Sequence, residues 1–114
     1  MYKTNFDYAV FEDSGEAGIR VVIRNSFGEV MASLFEKIPF PSMVEAVEVL
    51  ATQRAIRLVQ EVGLAESIFE GDSQSIVLAL QRVDMLNSTI SHLVKDTLSF
   101  VKPLRSWSFS HTVR

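Results

Sequence analysis

Asp7, Glu48 and Asp72 stand where solvated charges are uncommon. Asp7 interrupts the apolar run Asn5-Phe6-Asp7-Tyr8-Ala9-Val10-Phe11, Glu48 lies inside a long helical pattern, and Asp72 follows a short apolar stretch and a glycine. Carboxylate oxygens are hard ligands suited to Mg²⁺ or Mn²⁺, and two such ions about 4 Å apart activate a water and stabilise the leaving oxygen of a phosphodiester. That chemistry requires the three groups, delivered by a strand, a helix and a strand end, to converge at one edge of a sheet. Each residue also has a plainer reading. Asp7 can project from an exposed strand face, and a Glu bordering an apolar stripe can snorkel to water. Gly71 followed by Asp72-Ser73-Gln74-Ser75 before an apolar segment has the form of a helix N-cap, a role compatible with catalysis.

The elements that must position these groups follow from hydrophobic period and turn chemistry. Tyr2–Phe11 reads as a strand, Asp13-Ser14-Gly15 as a turn, Gly18–Arg24 as a second strand, and Asn25-Ser26-Phe27-Gly28 as another turn. Glu29–Glu36 gives a third strand, ended by Pro39 and Pro41, and the short connections predict an antiparallel meander. From Ser42 to Val62 the period becomes helical, with Val44, Val47, Ala51, Ala55, Leu58 and Val62 on one stripe until Gly63 stops it. Glu48 lies about 40° from Val44 at the border of that stripe, whereas Glu45 lies about 100° away from it and should be the better solvated. Glu66–Glu70 reads as a short strand, Ser73–Gln81 and Asn87–Val101 as helices, and Arg105–Val113 as a last strand with Trp107, Phe109, His111 and Val113 on one face. The order βββ-α-β-α-α-β predicts an α/β domain: a mixed sheet with helices packed on its faces.

The chain has 114 residues, 11 Lys plus Arg and 14 Asp plus Glu, a net charge of −3. That length fits one domain, 1–114, with a core sufficient without staples. The absence of cysteine excludes disulfides and thiolate zinc sites. A weakly acidic chain is poorly suited to gripping nucleic acid by bulk charge, so metal ions would have to supply positive charge. The N-terminus lacks the apolar core of a secretory signal and no transmembrane run is present, so the expectation is an intracellular protein, nuclear or cytoplasmic, with no membrane partner. No glycine-rich phosphate loop and no Ser-His-Asp order is visible. Arg20, Arg24, Arg54 and Arg57 are suited to phosphate contacts, and solvated faces explain them equally well.

Five segments in order carry a resemblance that spans almost the whole chain: Lys3-Thr4-Asn5-Phe6-Asp7; Ala17-Gly18-Ile19 with Val21-Val22-Ile23-Arg24-Asn25 and Gly28; Val47-Glu48-Val49-Leu50-Ala51 with Arg54-Ala55; Phe69-Glu70-Gly71-Asp72-Ser73; and Phe109-Ser110-His111-Thr112-Val113-Arg114. The sequence resembles the ribonuclease H family, most closely the plant ribonuclease-H-like domains related to reverse-transcriptase elements. The resemblance implies a five-stranded sheet of order 3-2-1-4-5 with the second strand antiparallel to its neighbours. It implies Asp7, Glu48 and Asp72 as catalytic, metal-binding carboxylates for Mg²⁺ or Mn²⁺, and cleavage of RNA in RNA–DNA hybrids. Candidate substrate-binding positions are Ser73 and His111, which lie in the matching segments, together with Tyr8, suited to stacking on a base or sugar, and Arg20, suited to a phosphate contact.

Three departures from the family pattern bear on activity. The family continues into a last helix that supplies a fourth acidic residue, and this sequence ends at Arg114. Tyr8 stands where the family has Gly, and Arg20 where it has a small residue. The expectation is therefore a nucleic-acid-binding domain with weak or lost cleavage. The alternative is a catalytically inactive module that binds a protein partner or forms a homodimer over the surface the terminal helix would cover.

Overall fold

The computed structural model describes residues 1–41, 43–71 and 88–111. Asp72, Ser73 and the helix expected at Ser73–Gln81 lie outside the described residues.

Alternation of apolar with polar residues produces the first three strands, β1 (Lys3–Phe11), β2 (Glu16–Arg24) and β3 (Val30–Pro39). A single 3₁₀ turn at Glu12–Ser14 links β1 to β2. The β2–β3 turn is closed by Gly28 N–H donating to the Asn25 carbonyl at 3.0 Å, with Gly28 at φ 82°, a conformation that glycine adopts without a Cβ penalty. β1 pairs antiparallel with β2 from Lys3↔Arg24 to Phe11↔Glu16, and β2 pairs antiparallel with β3. β3 runs past the expected end at Glu36 to Pro39, opposite Glu16. At the end of an edge strand the missing proline N–H disrupts no interior ladder.

Helix α1 (Val44–Glu61) follows, then β4 (Glu66–Gly71), helix α2 (Ser88–Val101) and β5 (Ser106–His111). β4 pairs parallel with both β1 and β5, completing a mixed five-stranded sheet of order β3-β2-β1-β4-β5, as expected. Gly63, at φ 80°, terminates α1.

The apolar face of the sheet, carrying Phe6, Ile19, Val21, Ile23, Phe69 and Phe109, packs against Val49, Ala55, Ile56 and Val59 of α1. Val101 of α2 joins this cluster, and Gln60 Nε2 donates to the Phe100 carbonyl at 2.5 Å, tying the two helices together. Between β1 and β4 the buried hydroxyls of Thr4 and Ser67 pair at 2.7 Å, which leaves neither polar group unsatisfied. Val44 and Val62, the ends of the expected stripe, are exposed, whereas Val49, Ile56 and Val59 are buried beside Val47, Ala51, Ala55 and Leu58. Packing against both sheet and α2 widens the apolar face beyond one stripe. Among the described residues no helix is long and apolar enough to cross a membrane.

Candidate active site

Alternation along β1 sends adjacent residues to opposite sides of the sheet. Thr4 and Phe6 are buried on the side covered by α1, and Tyr8 follows them in phase. Asp7 points to the other side. Its cross-strand partner is Arg20, which sits between the buried Ile19 and Val21 on β2 and therefore also faces away from α1. The guanidinium is bidentate: Arg20 Nη2 donates to Asp7 Oδ2 at 2.6 Å and Nε donates to Oδ1 at 3.2 Å. The Asp7 side chain retains 16% of its exposure and that of Arg20 63%, so the carboxylate is largely covered while its partner stands in solvent.

Glu48 occupies the α1 side. Its register on the helix leaves it half-buried while Glu45 is exposed, the ranking expected from helical phase. The Tyr8 hydroxyl donates to Glu48 Oε1 at 2.7 Å. The phenol ring thus spans from the β1 backbone to the helix and holds the Glu48 carboxylate at its far end.

β4 delivers the chain to the same end of the sheet. Asn5 lies in register with Glu70, and Gly71 packs so closely on the Phe6 ring that a Cβ there would fall 2.7 Å from the ring's Cε2. The last described residue of β4 is therefore fixed beside Phe6 and Asp7. Glu70 itself lies on the face that carries Asp7, where Asn5 Nδ2 donates to Glu70 Oε2 at 3.3 Å and Lys3 Nζ stands 3.8 Å from Oε1. Sequence reasoning did not single out Glu70 as a site residue. The alternation of Ser67 and Phe69, buried, with Ile68 and Glu70, half-buried, is the signal that could have placed it on that face. His111 ends β5 in register with Gly71, while Asp72 and Ser73 lie outside the described residues.

Asp7 and Glu48 are thus linked through Tyr8, which follows Asp7 on β1 and reaches Glu48 with its hydroxyl, and they do not share a pocket. Carboxylate oxygens are the correct donor type for Mg²⁺ or Mn²⁺. The arrangement of these two does not fit one shared ion, because they lie on opposite sides of β1, both Asp7 oxygens accept from Arg20, and Glu48 accepts from Tyr8. Among the described residues no three His, Asp or Glu side chains gather in a group that could hold an ion.

Residues 5–114 match the sequence model of the family described as reverse transcriptase-like. No curated protein matches the chain. Among solved structures, the chain is similar to ribonuclease H1 of the halophilic archaeon Halobacterium salinarum, with 20% identity and a TM-score of 0.89 over 99% of this chain and 86% of that one. It is similar to the compost-derived LC11 ribonuclease H1, solved in complex with RNA/DNA hybrid, with 22% identity and a TM-score of 0.86 over 100% and 86% of the two chains. It is also similar to the N-terminal ribonuclease H domain of a Mycobacterium tuberculosis protein, with 16% identity and a TM-score of 0.84 over 99% and 87%. At these identities the likeness concerns the fold.

Proposed function

Because the chain belongs to the reverse transcriptase-like family and carries the ribonuclease H fold, we propose that it is a nucleic-acid-binding domain directed at RNA–DNA hybrids, with hydrolysis of the RNA strand weak or lost. On this reading Asp7, Glu48 and Asp72 are the acidic groups of the site, and Tyr8, Arg20, Ser73 and His111 border the substrate path. The observation that carries it is the packing of Gly71, the last described residue of β4, on Phe6, the residue that precedes Asp7 on the adjacent strand β1. Mg²⁺ or Mn²⁺ is the cofactor implied by resemblance, and the engagement of Asp7 and Glu48 by Arg20 and Tyr8 is the reason hydrolysis is assigned as weak.

The test uses a labelled RNA–DNA hybrid, with duplex DNA and single-stranded RNA of the same sequence as comparators. Fluorescence anisotropy is expected to give the tightest binding for the hybrid. Cleavage in Mn²⁺ or Mg²⁺ is expected to be slow or absent, and any cutting is expected to vanish in Asp7→Asn. Equal affinity for all three nucleic acids would overturn the assignment.

One feature favours a second reading, in which the domain is catalytically silent and self-associates. β3 is an edge strand whose Val30, Met31 and Phe35 are exposed, and such edges pair readily with other chains. Sedimentation velocity over a hundredfold concentration range separates the readings, since a hybrid-binding monomer shows no shift.

A further inference from the structure

We propose that Arg20 is a resident cation that keeps a divalent ion off Asp7, with Tyr8 as a spacer that holds Glu48 away from it. The assignment rests on the reading of Asp7 and Glu48 as the acidic groups of this site.

Three observations converge. The Arg20–Asp7 pair is cross-strand and directly in register, so the ladder presents the guanidinium to the carboxylate without a long excursion of either side chain. Its two hydrogen bonds engage both carboxylate oxygens. A divalent ion that takes either oxygen must compete with a charge-assisted, bidentate contact and approach a fixed positive charge. Finally, Tyr8 places a full phenol ring between β1 and Glu48 and donates its hydroxyl there. Glu48 is therefore positioned by a ring on the α1 side while Asp7 is neutralised on the other side. A guanidinium supplies the countercharge that an ion would otherwise bring, but it has no exchangeable water and cannot generate a metal-bound nucleophile. Arg20 and Tyr8 are positioning residues on this account, acting through Asp7 and Glu48.

The experiment is titration of Mn²⁺ into the full chain without nucleic acid, read by the electron paramagnetic resonance signal of the free ion. It compares wild type, Arg20→Ala, Arg20→Lys, Arg20→Ala with Tyr8→Gly, and Arg20→Ala with Asp7→Asn. Arg20 is an exposed strand residue, and circular dichroism melting checks that each variant folds. Arg20→Ala is expected to bind Mn²⁺ at least about tenfold more tightly than wild type. Arg20→Lys, which keeps the charge and loses the fork, should fall between them. Removing the ring in the double variant with Tyr8→Gly is expected to tighten binding further, and Asp7→Asn should cancel the gain. Equal Mn²⁺ affinity in wild type and Arg20→Ala, or a gain that survives Asp7→Asn, would overturn the proposal. If folded Tyr8→Gly variants show no additional gain, the spacer role of Tyr8 is overturned. Hybrid anisotropy on the same variants keeps the two readings separable. Loss of hybrid preference with the Mn²⁺ gain intact defeats the nucleic-acid reading alone, and hybrid preference with unchanged Mn²⁺ affinity defeats the Arg20 assignment alone.

Discussion

Gly71 has no room for a side chain, and the obstacle is the buried Phe6 ring rather than a flexible surface group. Gly71→Ala is expected to force Phe6 from its position and to destabilise the domain by about 1–3 kcal/mol, the usual cost of overpacking. The midpoint of urea unfolding should fall with little change in slope, and an unchanged midpoint would show that the ring can give way. The same residue illustrates what was legible at this scale. Gly71 reads in sequence as a turn opener before Asp72, and its close packing on residue 6 depends on which strand lies next to β4. The Arg20–Asp7 ion pair was hidden for the same reason: residues thirteen apart meet only when the β1–β2 register is known. Glu48 was legible because its placement depends on helical phase alone, and its half-burial beside an exposed Glu45 follows from counting around one helix.

Among the elements, α1 carries the largest difference between pattern and packing. The i, i+3, i+4 stripe reaches Val62, yet Val62 is 44% exposed past the helix end, while Ile56, off the stripe, is fully buried against sheet and core. A stripe describes a helix with one neighbour, and α1 has two, the sheet below and α2 beside it. Ile56→Ala is therefore expected to cost about 2–5 kcal/mol through lost burial and a residual cavity. Val62→Ala should stay within about 0.5 kcal/mol, as surface changes do. Chemical unfolding of the two variants compares them directly, and equal losses would contradict the packing described. The strands were legible nearly to their ends because alternation and turn residues are local signals. The extension of β3 to Pro39 was not, since only its place at the sheet edge makes a terminal proline tolerable there.

At the scale of the molecule the governing quantity is charge available to a polyanion. The chain is net −3 with 11 basic residues, and among the described residues Lys3, Arg20, Arg54 and Arg105 are ion-paired with Glu70, Asp7, Glu36 with Glu61, and Glu66 respectively. Each phosphate neutralised by a protein cation contributes a slope of about −0.9 to log K against log salt for duplex DNA. With these cations engaged, the domain is expected to bind hybrid with a slope no steeper than about −6, the value the seven other basic residues would give at about −0.9 each, and with modest affinity. Anisotropy titrations at several KCl concentrations measure this slope. Arg20→Ala tests the accounting in both directions. If Arg20 spends its charge on Asp7, its removal should leave the slope nearly unchanged. If it leaves Asp7 to grip a phosphate, the slope should become shallower by about one unit.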